Sequence, residues 1–274
     1  MERFNIELKK RDCSGIYAVT QRLMTYNSNK IAGSTLTEEQ IAFLFDTGSL
    51  PPSDYDYRSE DIEEAHGHYL MFNLMMRTLS QELSEELIKK FHWELKSGVY
   101  NERINGRMTG EYRNSDIATQ MKELLKWYHA EEKSLHTLAE FHVCYNHIQP
   151  FQSGNGRVGR LILFRECLGN GITLFLVEAE NKGNYIKSLE LAQKGDLDPL
   201  EKLFREEQEV YQKEVDYFIG RSFFGMRKFT LDAWDRHIAN IQIEGYGQGL
   251  AKAKMMAMVH ALRILSVYDG VLIG

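Results

Sequence analysis

The stretch HIQPFQSGNGRVGR, residues 147–160, decides how this sequence folds around its candidate site. Pro150 ends the apolar helix that precedes it, because proline cannot continue an α-helix. A second apolar helix begins just after Gly156, and the turn between the two helices is rich in residues that tolerate positive φ. Such a turn lets several backbone N–H groups point the same way at a helix N-terminus, where anions bind. The stretch therefore predicts an anion site at a corner between two helices.

Two arginines, Arg157 and Arg160, lie in the first turn of the second helix. Cations are unfavourable there, because the helix dipole is positive at its N-terminus. A bound polyphosphate would reverse that penalty, whereas an ordinary corner would leave both arginines in solvent. The residues alone leave both interpretations open.

The rest of the chain predicts a mainly α fold. Only four prolines occur in 274 residues, and apolar residues recur at spacings of three and four, which favours helices over a sheet. Residues 97–116 are the exception, since turn formers and β-formers without a helical period predict a small β-hairpin. The spacing predicts helices over about 13–31, 37–46, 59–79, 83–96, 116–130, 133–148, 156–169, 182–194 and 196–221, with more beyond 228.

Composition excludes several kinds of function. The net charge of −6 and the pI near 5.9 argue against a surface that neutralises many phosphates of a nucleic acid. The most apolar run, residues 255–268, is interrupted by His260 and Arg263 and is too short to span a bilayer, so we expect no membrane contact. Three cysteines in unrelated contexts and an N-terminus without an apolar signal favour reduced thiols in the cytoplasm.

The corner resembles the signature of the Fic family, His-x-Phe-x-(Asp/Glu)-Gly-Asn-(Gly/Lys)-Arg-x-x-Arg. Residues 110–117 are similar to the hairpin flap upstream of that signature, and residues 184–204 to the helix pair downstream of it. The resemblance covers residues 60–205 or so and implies a mainly α, Fic-type helical fold with a small β-hairpin flap. The signature positions that agree are Phe151, Gly154, Asn155, Gly156, Arg157 and Arg160.

The resemblance implies transfer of AMP from ATP, with Mg²⁺, to a Ser, Thr or Tyr hydroxyl of a target protein or of the chain itself. In-line displacement at the α-phosphorus needs a base for the hydroxyl proton and cations for the departing pyrophosphate. The backbone of Gly154, Asn155 and Gly156, with Arg157, would hold the α- and β-phosphates, and Arg160 would meet the terminal phosphate.

Two further sets of residues follow from the same resemblance. The flap would position the target segment by pairing its strand with that segment, so main-chain hydrogen bonds would place the hydroxyl. Its candidate docking residues are Tyr112, Arg113 and Ile117. The adenine pocket would involve Tyr185 and Gln193.

Two positions of the signature depart from the family pattern. Gln149 stands where the family has its histidine base, and an amide cannot take a proton near neutral pH. Neither His147, about 200° around the helix, nor His142, about 10 Å back along its axis, can replace that base. Ser153 stands where a carboxylate would hold Mg²⁺, which weakens metal binding without forbidding it, because nucleotide-bound Mg²⁺ needs few protein oxygens.

A third departure lies near the start of the chain. Some Fic proteins carry an inhibitory helix with the pattern (Ser/Thr)-x-x-x-Glu-(Gly/Asn), whose glutamate pairs with the second signature arginine. Ser28 and Gly33 meet this pattern, but Ala32 replaces the glutamate. Arg160 would then be free for ATP. The other interpretation of this segment is a helix that simply ends at Gly33.

The leading interpretation is a protein adenylyltransferase with an inhibitory-type N-terminal helix and an impaired base. We expect an N-terminal extension over 1–58, a Fic core over 59–222 and a C-terminal helical appendix over 223–274 packed on the core. The alternatives are a non-catalytic nucleotide-binding regulatory module and a Fic enzyme of another kind, for phosphorylation, phosphocholine transfer or AMP removal. The two lost positions fit an engineered enzyme as well as a naturally degenerate one, and a homodimer stays open.

Overall fold

The computed structural model describes residues 15–50 and 57–213, with positions 4, 6, 7, 215 and 216 beside them. This part of the chain is mainly helical and contains no strand, so the mainly α prediction is confirmed. The helices are α1 Ile16–Ile31, α2 Glu38–Thr47, α3 Ser59–Arg77, α4 Glu85–Lys96, α5 Tyr100–Ile104, α6 Ser115–Ala130, α7 Leu135–Ile148, α8 Asn155–Asn170, a 3-10 turn Ala179–Asn181, α9 Lys182–Ala192 and α10 over 198–213.

Polar caps fix where several of these helices begin. At the start of α2, the Thr37 side chain accepts from the Gln40 N–H while the Gln40 side chain accepts from the Thr37 N–H, which is a capping box. Single side-chain caps at the starts of α4, α6 and α7 satisfy backbone N–H groups that the helix itself leaves without partners. These caps are Ser84, Asn114 and Ser134.

The hairpin expected over residues 97–116 is wrong: the segment forms the short helix α5 and turns. Contacts made by side chains explain why this segment does not form a hairpin. Glu102 on α5 is buried and ion-paired with Lys96 and Arg107, and a helical turn after the buried Val99 brings it there. Farther along, the Gly110 N–H donates to His92 Nδ1 at 2.9 Å.

Helix α8 is the centre of the core. It packs against α7, α1, α3 and α4. Because neighbours surround it, apolar side chains are buried on all of its faces, as expected of a helix inside a protein. Its fully buried residues include Val158, Leu161, Ile162 and Phe164. The helix that carries the two arginines is therefore held in place by four other helices.

The described residues up to Lys213 belong to one compact unit. The C-terminal appendix expected over 223–274 lies outside the described residues, so the division into three segments stays a prediction. Over the ranges given above, no helix has both the length and the apolar character needed to cross a membrane.

A substitution at Gly67 tests the packing of α3 on α4. A Cβ built at this position would lie 2.1 Å from the backbone oxygen of Leu95, so the two helices would have to separate. We expect Gly67→Ala to lower the free energy of unfolding by about 1–3 kcal/mol, measured by urea denaturation. The matched control is Gly183→Ala in α9, where a Cβ meets nothing within 4 Å. That variant should keep its stability or gain up to about 1 kcal/mol, and equal losses in both variants would contradict the packing argument.

Candidate functional site

The corner between α7 and α8 is built from two residues with left-handed backbone conformations. Gln149 caps the C-terminus of α7 with φ 50°, and its N–H bonds the Tyr145 carbonyl. Gly154 caps the N-terminus of α8 with φ 75°. Among the described residues Gln149 is the one non-glycine with positive φ. Such a conformation costs about 1–2 kcal/mol for an ordinary residue, and strain of this kind is common at functional sites.

Asn155 closes the loop between the two helices. It is buried, its Oδ1 accepts from the Phe151 N–H at 2.8 Å, and its Nδ2 donates to the Phe151 carbonyl at 2.8 Å. The same Nδ2 donates to Gln149 Oε1 at 3.1 Å. The Phe151 ring stacks on His92 with the ring centroids 3.9 Å apart. Asn155 therefore fixes both the loop backbone and the orientation of Gln149.

Gln149 itself is exposed, and its Nε2 donates to the Asn146 carbonyl at 2.7 Å. Its neighbours offer no substitute base. His147 is exposed on another face of α7, whereas His142 is buried and its Nε2 bonds the Tyr185 hydroxyl at 2.7 Å. Burial, aided by the charge of Arg160, lowers the pKa of His142 to about 3. His142 thus acts as a neutral packing residue below the corner.

Arg157 has a carboxylate partner that the sequence did not predict. Its Nη2 donates to Glu64 Oε1 at 2.7 Å, its Nη1 pairs with the other oxygen of Glu64, and Nη1 also donates to Asn29 Oδ1 at 3.1 Å. Glu64 lies on the buried face of α3, one turn before the buried His68. A carboxylate among the apolar positions of a helix was the available signal, but the sequence does not say which cation it meets.

Glu64 also belongs to a larger set of charges. Lys96, at the end of α4, is buried and ion-pairs with both Glu64 and Glu102, with Nζ 2.9 Å from Glu102 Oε1. Glu102 Oε1 also accepts from Arg107 at 3.2 Å and from Ser153 Oγ at 2.9 Å. Both oxygens of Glu64 and the Oε1 atom of Glu102 are thus engaged by cations and by one hydroxyl.

These contacts control the ionisation of Glu64. Burial opposes the charged form, but the hydrogen bonds and charges of Arg157 and Lys96 outweigh it and lower the pKa of this carboxyl to about 2. A depressed pKa in the folded state gives stability above the ordinary pKa of a glutamate, and this stability is lost as the pH falls toward 2. Glu64 is therefore an anion at every pH at which the protein is expected to work.

Arg160 differs from Arg157 in that its partners among the described residues are neutral. Its Nε donates to Ser28 Oγ at 3.0 Å, its Nη2 donates to the Ser28 carbonyl at 2.8 Å, and its guanidinium lies 5.9 Å from the centre of the Tyr185 ring. Arg160 is buried, and no carboxylate in the described part of the chain forms an ion pair with it. Within the described ranges, Arg160 is thus a buried cation without a counterion.

The segment that resembles an inhibitory helix lies against this arginine. It is the end of α1, which stops at Ile31. Ala32 is its C-cap and is exposed, and Gly33 follows with φ 103°, so the prediction that the helix ends at Gly33 also holds. Ala32 lies one turn beyond Ser28, and helical side chains lean toward the N-terminus. A longer side chain at position 32 would therefore extend toward Ser28 and Arg160.

The flap residues approach the corner from one side. The Arg113 N–H donates to the Pro150 carbonyl at 3.0 Å, and its Nη2 donates to the Ile148 carbonyl at 3.0 Å. Tyr112 is buried, with its ring centre 5.4 Å from that of Phe151. Ile117 is also buried, in the first turn of α6. These residues are thus connected to the corner, although not through a hairpin.

The two residues expected at the adenine pocket are not brought together. Tyr185 is buried beneath Arg160 and its hydroxyl bonds His142, whereas Gln193 is exposed at the C-cap of α9. They are eight positions apart, or about 12 Å along the helix axis. Their role in base binding stays a prediction.

Comparison with known proteins agrees with this geometry. Residues 82–166 match the model of the Fic/DOC family. The protein adenylyltransferases Fic of Drosophila mojavensis and Drosophila persimilis are 26% and 27% identical to this chain over 196 and 197 residues. These alignments cover 64% of this chain and 37% and 36% of the relatives, so the chain matches little more than a third of their length.

Solved structures of Fic proteins have the same fold. Fic-1 from C. elegans aligns with a TM-score of 0.61 at 22% identity, over 73% of this chain and 62% of that one. A Fic domain containing signaling protein from Bacteroides thetaiotaomicron aligns with a TM-score of 0.61 at 18% identity, over 80% of this chain and 95% of that one. The fold is thus that of the Fic proteins. Residues 82–166 thus match the Fic/DOC family model, which agrees with the resemblance of the corner.

The pairing of Glu64 with Arg157 yields a prediction for ligand binding. A carboxylate and a phosphate compete for the same guanidinium, so Glu64→Gln should strengthen the binding of ATP, by roughly tenfold for one charge-assisted hydrogen bond. Isothermal titration calorimetry measures the effect. The control is Glu86→Gln, which removes the same charge from an exposed ion pair with Lys90. Unchanged or weaker binding in the Glu64 variant would show that this carboxylate does not compete with the nucleotide.

Proposed function

We propose that this chain binds ATP at the corner between α7 and α8, and that its chemistry is the transfer of AMP to a protein hydroxyl, slowed by Gln149. The observation that carries the proposal is Arg160: it is buried at the start of α8 and has only neutral partners. A buried cation without a counterion is costly, and a phosphate beside it removes that cost.

The start of α8 adds to this attraction. Gly154 begins the helix in a left-handed conformation, and the first backbone N–H groups of a helix have no partners within the helix. These groups and the helix dipole favour an anion at the same end at which Arg160 lies. We propose that the α- and β-phosphates of ATP lie here, with the terminal phosphate on Arg160.

Gln149 decides the rate of transfer. The target hydroxyl must lose a proton as it attacks the α-phosphorus, and a glutamine amide cannot accept one. We propose that transfer is slower than with a histidine by about 10² to 10⁴, the usual contribution of a general base. The relatives that are called adenylyltransferases support AMP as the transferred group. The target would be a Ser, Thr or Tyr hydroxyl of another protein or of this chain, positioned by the flap residues.

The residues around Ser153 do not favour a magnesium ion held by the protein. Ser153 Oγ donates to Glu102, whose oxygen already accepts from Lys96 and Arg107, and Glu64 is engaged by Arg157 and Lys96. In the residue ranges that the structure covers, no group of three or more His, Cys, Asp or Glu is arranged to hold a metal. Mg²⁺ would supply charge neutralisation if it arrived with the nucleotide, and the expectation of a magnesium site at Ser153 stays untested.

The expected function also includes a cellular compartment, autoinhibition, an oligomeric state and the identity of the transferred group. The two described cysteines, Cys144 and Cys167, are free thiols, which supports a reducing compartment such as the cytoplasm. Autoinhibition by α1 and assembly into a homodimer stay predictions. A Fic reaction with another transferred group would require the nucleotide to lie in a different orientation, with its α-phosphorus away from Gln149.

A second function, an ATP-binding regulatory module without catalysis, is favoured by the contacts of Gln149. Its amide is held by Asn146 and Asn155 and caps α7, so the residue has a structural use that does not require chemistry. The two functions differ in what a restored base would do.

Gln149→His separates these two functions. Histidine tolerates the left-handed conformation of this position, so the loop should keep its shape. If the chain is an impaired adenylyltransferase, incubation with ATP and Mg²⁺ should produce AMP on the variant or on an added target protein, detected by mass spectrometry. Gln152→His, an exposed neighbour in the same loop, is the control and should stay unlabelled. If neither variant carries AMP, the regulatory module is favoured.

Ala32→Glu tests the role of α1. A carboxylate at position 32 would extend toward Arg160, pair with it and compete with the terminal phosphate, so ATP affinity should fall by about tenfold or more. Calorimetric titration of ATP into the original chain and the variant measures this. Ala32→Gln is the neutral control of similar size and should bind like the original chain. Equal affinities in the glutamate and glutamine variants would mean that α1 has only a packing role.

A further inference from the structure

Lys96 is a buried lysine beside the candidate site. It ends α4, its side chain is 2% exposed, and its ammonium pairs with both Glu64 and Glu102. A lysine is seldom buried to this extent, because its charge must be removed from water. Nothing in the resemblance to Fic proteins assigns a role to this position.

Its location relates it to the corner. The Cε atom of Lys96 lies 3.4 Å from the point where a Cβ on Gly154 would be, so the lysine lies against the N-cap of α8. Lys96 and Ser153 both contact Glu102, and Lys96 and Arg157 both contact Glu64. Lys96 therefore lies between the residue at the expected metal position and the first arginine of the site.

We propose that Lys96 is the fixed cation of the nucleotide site, and that the chain binds a polyphosphate without a divalent metal ion. The inference rests on the proposed binding of ATP and deepens it. Two carboxylates hold the ammonium where a protein-bound metal would otherwise use those same oxygens. A metal ion there would have to displace cations from both oxygens of Glu64 and from Glu102 Oε1, and it would be repelled by the ammonium.

The balance of charge supports metal-free binding. Lys96 and Arg157 balance Glu64 and Glu102, which leaves Arg160 and Arg107 as surplus positive charge near the corner. Together with the N-terminus of α8, this surplus attracts phosphates before any metal is counted. The site is thus cationic by virtue of its own side chains.

Lys96 also makes Arg157 available. Glu64 divides its carboxylate between Arg157 and Lys96. When a phosphate takes Arg157, Glu64 loses one partner but keeps the other, so no buried carboxylate is left without a cation. Without Lys96, release of Arg157 would leave Glu64 uncompensated. Lys96 is therefore a positioning residue for the phosphate-binding arginine.

The test is calorimetric titration of ATP and of inorganic tripolyphosphate, each in EDTA and in excess Mg²⁺. The original chain should bind both probes in EDTA with dissociation constants within about threefold of those in Mg²⁺, a difference of less than 1 kcal/mol. Lys96→Met should weaken binding in EDTA by about tenfold or more, because Glu64 would then have Arg157 as its one cation and would compete harder with the phosphate for it. Mg²⁺ should restore that binding, because Glu64, Glu102 and Ser153 then have oxygens available for the ion.

Two further variants keep the result interpretable. Lys96→Arg retains the charge and should keep binding in EDTA, even if Lys96→Met lowers the melting temperature. Lys90→Met removes an exposed lysine of the same helix and should change nothing. If Lys96→Met does not fold, the comparison of EDTA with Mg²⁺ in the original chain and in Lys96→Arg decides the matter.

The outcomes also separate this inference from the proposed function. If the original chain binds ATP only when Mg²⁺ is present, the inference is overturned but the proposed function is not. Binding of tripolyphosphate but not ATP in EDTA supports the inference and overturns the assignment of ATP. An original chain that binds neither probe under either condition overturns both, and Lys96→Met binding as well as the original chain in EDTA overturns the role of Lys96.

Discussion

The pairing of Arg157 with Glu64 is the interaction on which the rest of the site depends. It joins the first turn of α8 to α3, and the hydrogen bond to Asn29 adds α1. Lys96 extends it to α4. A buried charge is costly unless it is paired and hydrogen-bonded, so these ion pairs fix the positions of the helices relative to one another. They also fix the position of Arg157, whereas Arg160 is held by hydrogen bonds to Ser28.

Those two arginines are three positions apart in α8, but their surroundings differ in charge. Arg157 faces a carboxylate, whereas Arg160 faces a serine and the ring of Tyr185. A phosphate must compete with Glu64 at the first but meets no anion at the second. Under the proposed binding of ATP, Arg160 is therefore open to a phosphate, whereas Arg157 must first exchange its carboxylate.

The sequence was informative where the structure is local. Helix periods and the turn at Gly154 depend on neighbouring residues, and they predicted the helices and the corner. The hairpin was wrong because Glu102 draws its segment into a helical turn through ion pairs that periodicity does not reveal. Glu64 and Lys96 were missed for a related reason, since they are 93 and 58 positions from their partners in the corner, Arg157 and Gly154. Pairings of that kind are settled by how helices pack.

The left-handed backbone at Gln149 has a consequence for how such a corner can change over time. The hydrogen bond from its N–H to Tyr145 and the bonds of Asn155 to the Phe151 backbone hold the loop, and neither involves the side chain at position 149. Asn, Asp and His accept this conformation more readily than most residues, whereas β-branched residues are strongly disfavoured. A lineage can therefore exchange the reactive group for an inert one, and back again, without remodelling the loop. The backbone of the corner can therefore stay the same after the side chain at position 149 has been replaced.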